Sequence, residues 1–120
     1  MSKKIFIVLP IYNEEKIIEK VVNELIDKTS QFNIKIILIN DGSKDRTKEK
    51  IERFKDTKNI IVINKQNEGH GKTISYGYKY AINSDCDYIF QMDSDDQFYT
   101  DDIKQFLKEN FSENLIIGRR

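Results

Sequence analysis

The stretch IFIVLPIYNEEKIIEKVVNELI, residues 5–26, changes its hydrophobic period partway along. Ile5 to Leu9 is a continuous apolar run rich in β-branched side chains and closed by Pro10, the pattern of a strand buried on both faces. From Asn13 onward the period becomes helical. Ile17, Ile18, Val21, Val22, Leu25 and Ile26 fall on one stripe, with Asn13 placed as a cap and Glu14 and Glu15 in a first turn where the macrodipole favours acids. A buried strand followed by an amphipathic helix is half of a βαβ unit.

The rest of the chain repeats that rhythm. Ile34 to Ile39 is a second apolar strand, ending at Asn40-Asp41-Gly42-Ser43, where Ser43 is placed to cap a helix with Thr47, Ile51 and Phe54 inward. Asn59 to Ile63 is a third strand and Asn67 to Gly71 a loop. Lys72 to Asn83 is a helix with Ile74, Tyr78 and Ala81 or Ile82 inward, and Tyr88 to Met92 is a fourth strand. Thr100 then caps a helix carrying Ile103, Phe106 and Leu107, and Leu115 to Ile117 begins a further strand. The predicted fold class is α/β: a Rossmann-like, mostly parallel sheet with helices on both faces and ligands at the carboxyl ends of the strands.

Composition narrows the partners. At 120 residues the chain is one domain or part of one, and 38% hydrophobic residues with five Gly and one Pro set it apart from disordered or collagen-like sequences. Lys plus Arg total 20 and so do Asp plus Glu, so no broad basic field exists to hold a nucleic-acid backbone, and no nucleic-acid partner is expected. Cys86 and His70 are single representatives of their types, which excludes an internal disulfide and a zinc site of Cys and His ligands; any metal must be held by oxygen. The apolar run before Pro10 is too short for a signal core or a membrane span, so the expectation is a cytoplasmic chain, peripheral at a membrane if it meets one.

The balanced total hides an acidic segment. Between Asp85 and Asp102 there are seven acidic residues and no Lys or Arg. A solvated acidic surface would explain the count alone, but Asp93-Ser94-Asp95-Asp96 follows a strand directly, which places its carboxylates together at the ligand edge of the sheet. Crowded carboxylates favour a hard cation between them, Mn²⁺ or Mg²⁺, which completes its shell with water and substrate phosphates. The competing account is an Asp-rich turn.

The other strand ends carry weaker signals. Asp41-Gly42-Ser43 reads by itself as a tight turn with a cap, yet a carboxylate on the rim of a crevice also accepts from a nucleobase N–H. Asn67 to Lys72 offers two glycines for close backbone approach and a helix start, with Lys72, that favours an anion. His70 fits a plain loop as well as a ligand contact, and Tyr12 fits a lid over the core as well as a stacking partner for a base. A dinucleotide fingerprint fails for lack of glycine in residues 10–14; a P-loop is a near miss, since Gly71-Lys72-Thr73 matches its end in a strand-to-helix context while Gln66 stands where its first glycine belongs.

Four segments taken together, Pro10-Ile11-Tyr12-Asn13-Glu14-Glu15, Asn40-Asp41-Gly42-Ser43-Lys44-Asp45, Asn67-Glu68-Gly69-His70-Gly71-Lys72 and Asp93-Ser94-Asp95-Asp96-Gln97, resemble the family 2 glycosyltransferases in order and spacing. The branch of similar look is the polyprenyl-phosphate or dolichol-phosphate sugar transferases. The resemblance implies a GT-A fold, a UDP- or GDP-linked sugar as donor and a divalent cation. By position it implies Pro10, Tyr12 and Glu14 along the nucleoside, Asp41 on the base, Lys72 beside the donor, Asp93 near the ribose and metal, and Asp95 on the metal. The sequence departs from the family pattern at Asn40, His70 and Thr100, where relatives often carry Asp, Lys or Arg, and Pro. Members of the family continue into a half that binds the acceptor and supplies the catalytic carboxylate. Residues 1–120 are therefore expected to be the donor-binding part of a GT-A domain, incomplete at the C-terminal side, with the catalytic residue unassigned and the acceptor, polyprenyl phosphate or a glycan, unknown. The two alternative expectations are a nucleotide-binding module without turnover and a P-loop-like nucleoside triphosphatase.

Overall fold

A computed structural model describes residues 4–30, 32–93 and 117–118. The elements run β1 (Ile5–Ile11), α1 (Ile18–Thr29), β2 (Ile34–Asp41), α2 (Thr47–Glu52), β3 (Ile60–Lys65), α3 (His70–Asn83), β4 (Tyr88–Gln91) and β5 (Ile117–Gly118). They form one sheet in the order β3-β2-β1-β4-β5, and every pairing is parallel. The chain winds outward from β1 to β3, then α3 carries it back across the sheet to β4 on the other side of β1. The carboxyl ends of β1 and β4 thus flank the point where the winding reverses, which is where such sheets leave a crevice.

Continuous apolar strands are what this arrangement demands, because both sheet faces are covered. All seven residues of β1 are buried. Ile5, Ile7, Leu9 and Ile11 point to the face where Val21, Val22 and Leu25 of α1 and Ile51 of α2 pack, while Phe6 and Val8 point to the opposite face with Ile37, Ile39 and Ala81. Each fully buried aliphatic side chain contributes roughly 1.5–3 kcal/mol, so β1 anchors two cores at once.

Several local expectations are corrected. Pro10 does not close β1; the strand continues to Ile11. The last β1–β4 pair is Val8 with Gln91, and Met92 N–H donates to Val8 O at 3.1 Å, so Pro10 lies on the β4 side just past the end of that ladder and its missing N–H costs no bond. Asn13 does not cap α1, which starts at Ile18 after a turn in which Ile17 and Ile18 N–H donate to Glu14 O. Glu14 and Glu15 accordingly lie before the helix. Ser43 does not cap α2 either: Asp45 Oδ1 accepts from Thr47 N–H at 2.9 Å in that place. In α3 the inward line is Thr73, Gly77 and Ala81, so of the residues expected inward Ala81 is, whereas Ile74 is only partly buried, Tyr78 is half-buried against the core, and Ile82 is 64% exposed. Small residues win that line because the helix lies close on the sheet: a Cβ built on Gly77 would overlap Val8 Cγ1 and come within 2.8 Å of Ile39 Cδ1. The expected helix after Thr100 and its apolar face lie outside the described residues, and of the expected last strand Ile117 belongs to β5.

Candidate functional site

Three loops leave the carboxyl edge of the sheet, and hydrogen bonds lock them together. The loop after β1 turns at Asn13, which holds a positive φ of 52°. Asn13 N–H donates to Ser43 Oγ (2.9 Å), and Lys44 N–H donates back to Asn13 Oδ1 (2.8 Å). Glu14 N–H donates to Thr47 Oγ1, and Arg46 N–H to Glu15 Oε1. The residues expected as helix caps therefore join the β1 loop to the β2 loop. The β2 loop in turn presses on the β3 loop: at Gly42, with φ 67°, a Cβ would lie 2.5 Å from Asn67 N. Glycine there serves close approach as well as dihedral freedom.

Between these loops lies a cavity of about 520 Å³ lined by Pro10, Ile11, Tyr12, Glu14, Asp41, Asn67, Gly69, His70, Thr73 and Asp93. Its size is that of a small-molecule site. Of the residues singled out from the sequence, Pro10, Tyr12, Glu14, Asp41 and Asp93 come together here. Lys72 does not line the cavity; it is exposed in the first turn of α3. Asp95 lies outside the described residues.

Asp41 is 4% exposed. Its Oδ1 accepts from Lys65 Nζ (3.1 Å) and Glu68 N–H (2.9 Å), and its Oδ2 from Gly69 N–H (3.1 Å) and, at 3.4 Å, Asn67 Nδ2. Burial would push this carboxyl up, but the Glu68 N–H, the Lys65 ammonium, the Thr73 hydroxyl and the Gly69 N–H outweigh it and hold the group below the ordinary carboxylate value. A full negative charge thus sits in the cavity wall. Tyr12 stands on the rim at 42% exposure. Asp93 follows β4 and faces His70 across 3.6 Å, Nε2 to Oδ1. Its carboxylate, partly exposed, is a hard oxygen donor beside the cavity and fits one ligand of a Mn²⁺ or Mg²⁺ ion. Among the described residues no group of three or more Asp, Glu, His or Cys is gathered around one point.

His70, which sequence reasoning left between loop and ligand contact, is the first residue of α3 and a wall of the cavity. The P-loop alternative is not supported: Gly71 and Lys72 open α3 as that motif would have them, but Gln66 stands at its first glycine, and the Thr73 hydroxyl, which would have to face a magnesium ion, is buried and donates to Gly69 O at 2.9 Å. Sequence reasoning missed Ile11, Thr73 and, behind the cavity wall, Lys65. Lys65 pairs with Asp41 in the β2–β3 register, and such a register is not written in either strand alone.

A parallel sheet of this order, with a loop-lined cavity where the winding reverses, defines the class of nucleotide-binding α/β proteins. Within that class the chain belongs to glycosyl transferase family 2, whose model matches residues 6–120. It is 34% identical over 135 aligned positions to the UDP-N-acetylglucosamine–dolichyl-phosphate N-acetylglucosaminyltransferase of Methanococcus voltae, covering 99% of this chain and 53% of that protein. The S. aureus TarS 1–349 structure in complex with UDP-GlcNAc superposes with a TM-score of 0.66 at 26% identity, over 89% of this chain and 32% of that one. A mannosyltransferase of Pyrobaculum calidifontis, solved with GDP-Man and Mn²⁺, shares the fold at 14% identity and a TM-score of 0.64, over 88% of this chain and 33% of that one. The GT-A fold expected from the sequence is thereby established. The chain spans about half the length of the curated relatives it matches. No helix among the described residues is long and apolar enough to cross a membrane.

Proposed function

We propose that residues 1–120 form the nucleotide-sugar-binding part of a glycosyltransferase, taking a UDP- or GDP-linked sugar together with Mn²⁺ or Mg²⁺. The observation that carries this reading is the cavity itself: family membership supplies the class, and the loops bring Tyr12, Asp41 and Asp93 to one opening. Tyr12 would stack on the base, Asp41 would accept from a ring N–H, and Pro10 and Glu14 would line the nucleoside. Asp93 and Asp95 would hold the cation, which when bound would offset charge on the diphosphate leaving group. The chain's own share is to orient the donor and to hold its charged end beside the start of α3, whose first-turn N–H groups favour an anion. Lys72, in that first turn, would act on the diphosphate from outside the cavity.

Polyprenyl phosphate is the acceptor class that the dolichyl-phosphate in the Methanococcus voltae relative's name supports; a glycan is the second candidate. That acceptor class also supports a cytoplasmic chain that meets the membrane peripherally. A nucleotide-binding module without turnover would share every feature of the cavity and differ only in lacking transfer.

Calorimetric titration with UDP, GDP and ATP, each with Mn²⁺ and with EDTA, tests the reading. UDP or GDP is expected to bind more tightly than ATP, because uracil and guanine present a ring N–H to a carboxylate where adenine presents an acceptor. Binding is expected to weaken with EDTA. Tighter binding of ATP, or equal UDP and GDP affinity with and without the cation, would overturn it.

A further inference from the structure

We propose that Lys65 is a positioning residue for base selection: it fixes the Asp41 carboxylate so that Oδ1 is engaged by the protein and Oδ2 keeps acceptor capacity for a ring N–H of the ligand. The inference rests on the nucleotide reading above and deepens it, since it assigns the choice among bases to a residue that does not touch the cavity.

The geometry supports this through counting. A carboxylate oxygen accepts about two hydrogen bonds. Oδ1 of Asp41 has both, from Lys65 Nζ at 3.1 Å and Glu68 N–H at 2.9 Å. Oδ2 has one firm bond, from Gly69 N–H at 3.1 Å, and a second at 3.4 Å from Asn67 Nδ2, the outer limit of such a contact; the Thr73 hydroxyl also lies near the carboxylate, but its one proton goes to Gly69 O at 2.9 Å. The capacity left in the group is therefore on Oδ2. Lys65 has none to offer a ligand directly. Its side chain is 10% exposed, and its three N–H bonds meet Asp41 Oδ1, Gln66 O at 2.8 Å and Glu68 Oε1 at 2.8 Å. Burial pushes the ammonium down, but the Glu68 and Asp41 carboxylates outweigh it and hold it above its ordinary value, so it stays charged wherever the nucleotide binds.

Removing the ammonium would leave Oδ1 with one bond of two, so that the carboxylate, held then by the Glu68 and Gly69 N–H groups and the long Asn67 contact alone, would turn its open lone pair toward other donors. The ligand's N–H would then lose its fixed partner, while ribose and diphosphate contacts elsewhere in the cavity would persist. A hydrogen bond to a charged acceptor carries about a tenfold or greater effect on affinity.

The test is calorimetric titration, with Mn²⁺ present, of the wild-type chain, Lys65→Met and Lys65→Arg with UDP, CDP, GDP and ADP, each variant checked for folding by thermal melting. UDP and CDP differ at the ring N–H, as do GDP and ADP. The wild type is expected to prefer UDP over CDP, or GDP over ADP, by about tenfold or more. Lys65→Met is expected to lose that preference with CDP and ADP affinities unchanged, and Lys65→Arg to restore most of it. Equal loss of affinity for both members of a pair would show a merely structural role and overturn the inference, as would a folded Lys65→Met that keeps the preference. If Lys65→Met does not fold, Lys65→Leu, which likewise removes the donor to Asp41 Oδ1, is read in the same way. A wild type that binds UDP and CDP equally, and GDP and ADP equally, overturns this inference and leaves nucleotide binding standing; one that binds none of the four overturns both.

Discussion

Asn13 and Asp41 show how single residues here do work that neither their type nor their neighbours announce. Asn13 holds φ 52° and bonds through both its N–H and its side-chain oxygen to the β2 loop. Asparagine tolerates this conformation, whereas a β-branched residue is a genuine outlier in it. Asn13→Val is expected to destabilise the chain by about 1–3 kcal/mol in denaturant unfolding, and to weaken nucleotide binding by loosening Tyr12 and Glu14. Asp41 gives a pH signature. Its folded-state value lies below the ordinary 3.8, so its contribution to stability is present above that value and is lost as pH falls through the lower, folded one. Asp41→Asn is expected to be less stable than the wild type at neutral pH by about 1–3 kcal/mol, with the gap closing as the pH is taken below 3.8. A gap that stays constant to low pH would assign the loss to packing. Asp41 was legible in the sequence because a strand end announces itself. Lys65 was not, because a lysine closing an apolar run becomes a partner of Asp41 only through the register of two parallel strands.

At the scale of elements, the strands were read from apolar runs and their order along the chain held throughout the described residues. Helix starts were the weak point. Asn13 and Ser43 look like caps, yet both belong to the interlock between loops; Arg46 is the cap residue of α2 without a side-chain cap bond, and Asp45 just before it accepts from Thr47 N–H. The same ambiguity is physical: a short polar side chain that can satisfy a helix N–H can satisfy a neighbouring loop as well. In α3 the phase departs at Ile74 and Tyr78, whose neighbours Thr73 and Gly77 are the buried residues, while Ala81 is inward as one of the two residues expected there; large apolar residues draw attention, whereas the closest approach to a sheet is made by the smallest. Gly77→Ala is expected to destabilise by about 1–3 kcal/mol despite the better helix propensity of alanine, since Val8 is β-branched, buried and cannot give way. Ile82→Gln, at an exposed position of the same helix, is expected to stay within about 0.5 kcal/mol of the wild type. Thermal unfolding of the two variants side by side checks both.

For the whole molecule, the sheet order β3-β2-β1-β4-β5 sets the position of everything functional. The alternation of strands and helices was visible in the sequence, and the right-handed crossovers of parallel units leave few orders to choose from. Which loop faces which follows from the reversal of winding at β1, and that places Tyr12, Asp41 and Asp93 around one opening although 81 positions separate the first from the last. The rival position for a cation is the amino edge of β4, where Asp85 and Asp87 also carry negative charge and Asp87 accepts from Lys4 N–H at 2.8 Å. The measurement that separates the two is amide NMR of the ¹⁵N-labelled chain, with UDP or GDP, as Mn²⁺ is added. Paramagnetic broadening is expected first at Asp93, His70 and Gly69 on the carboxyl edge, with Lys4, Asp85 and Asp87 on the amino edge left sharp. Broadening centred on Asp85 and Asp87, or broadening that is the same without nucleotide and spread over both edges, would contradict a nucleotide and metal site at the carboxyl edge of this sheet.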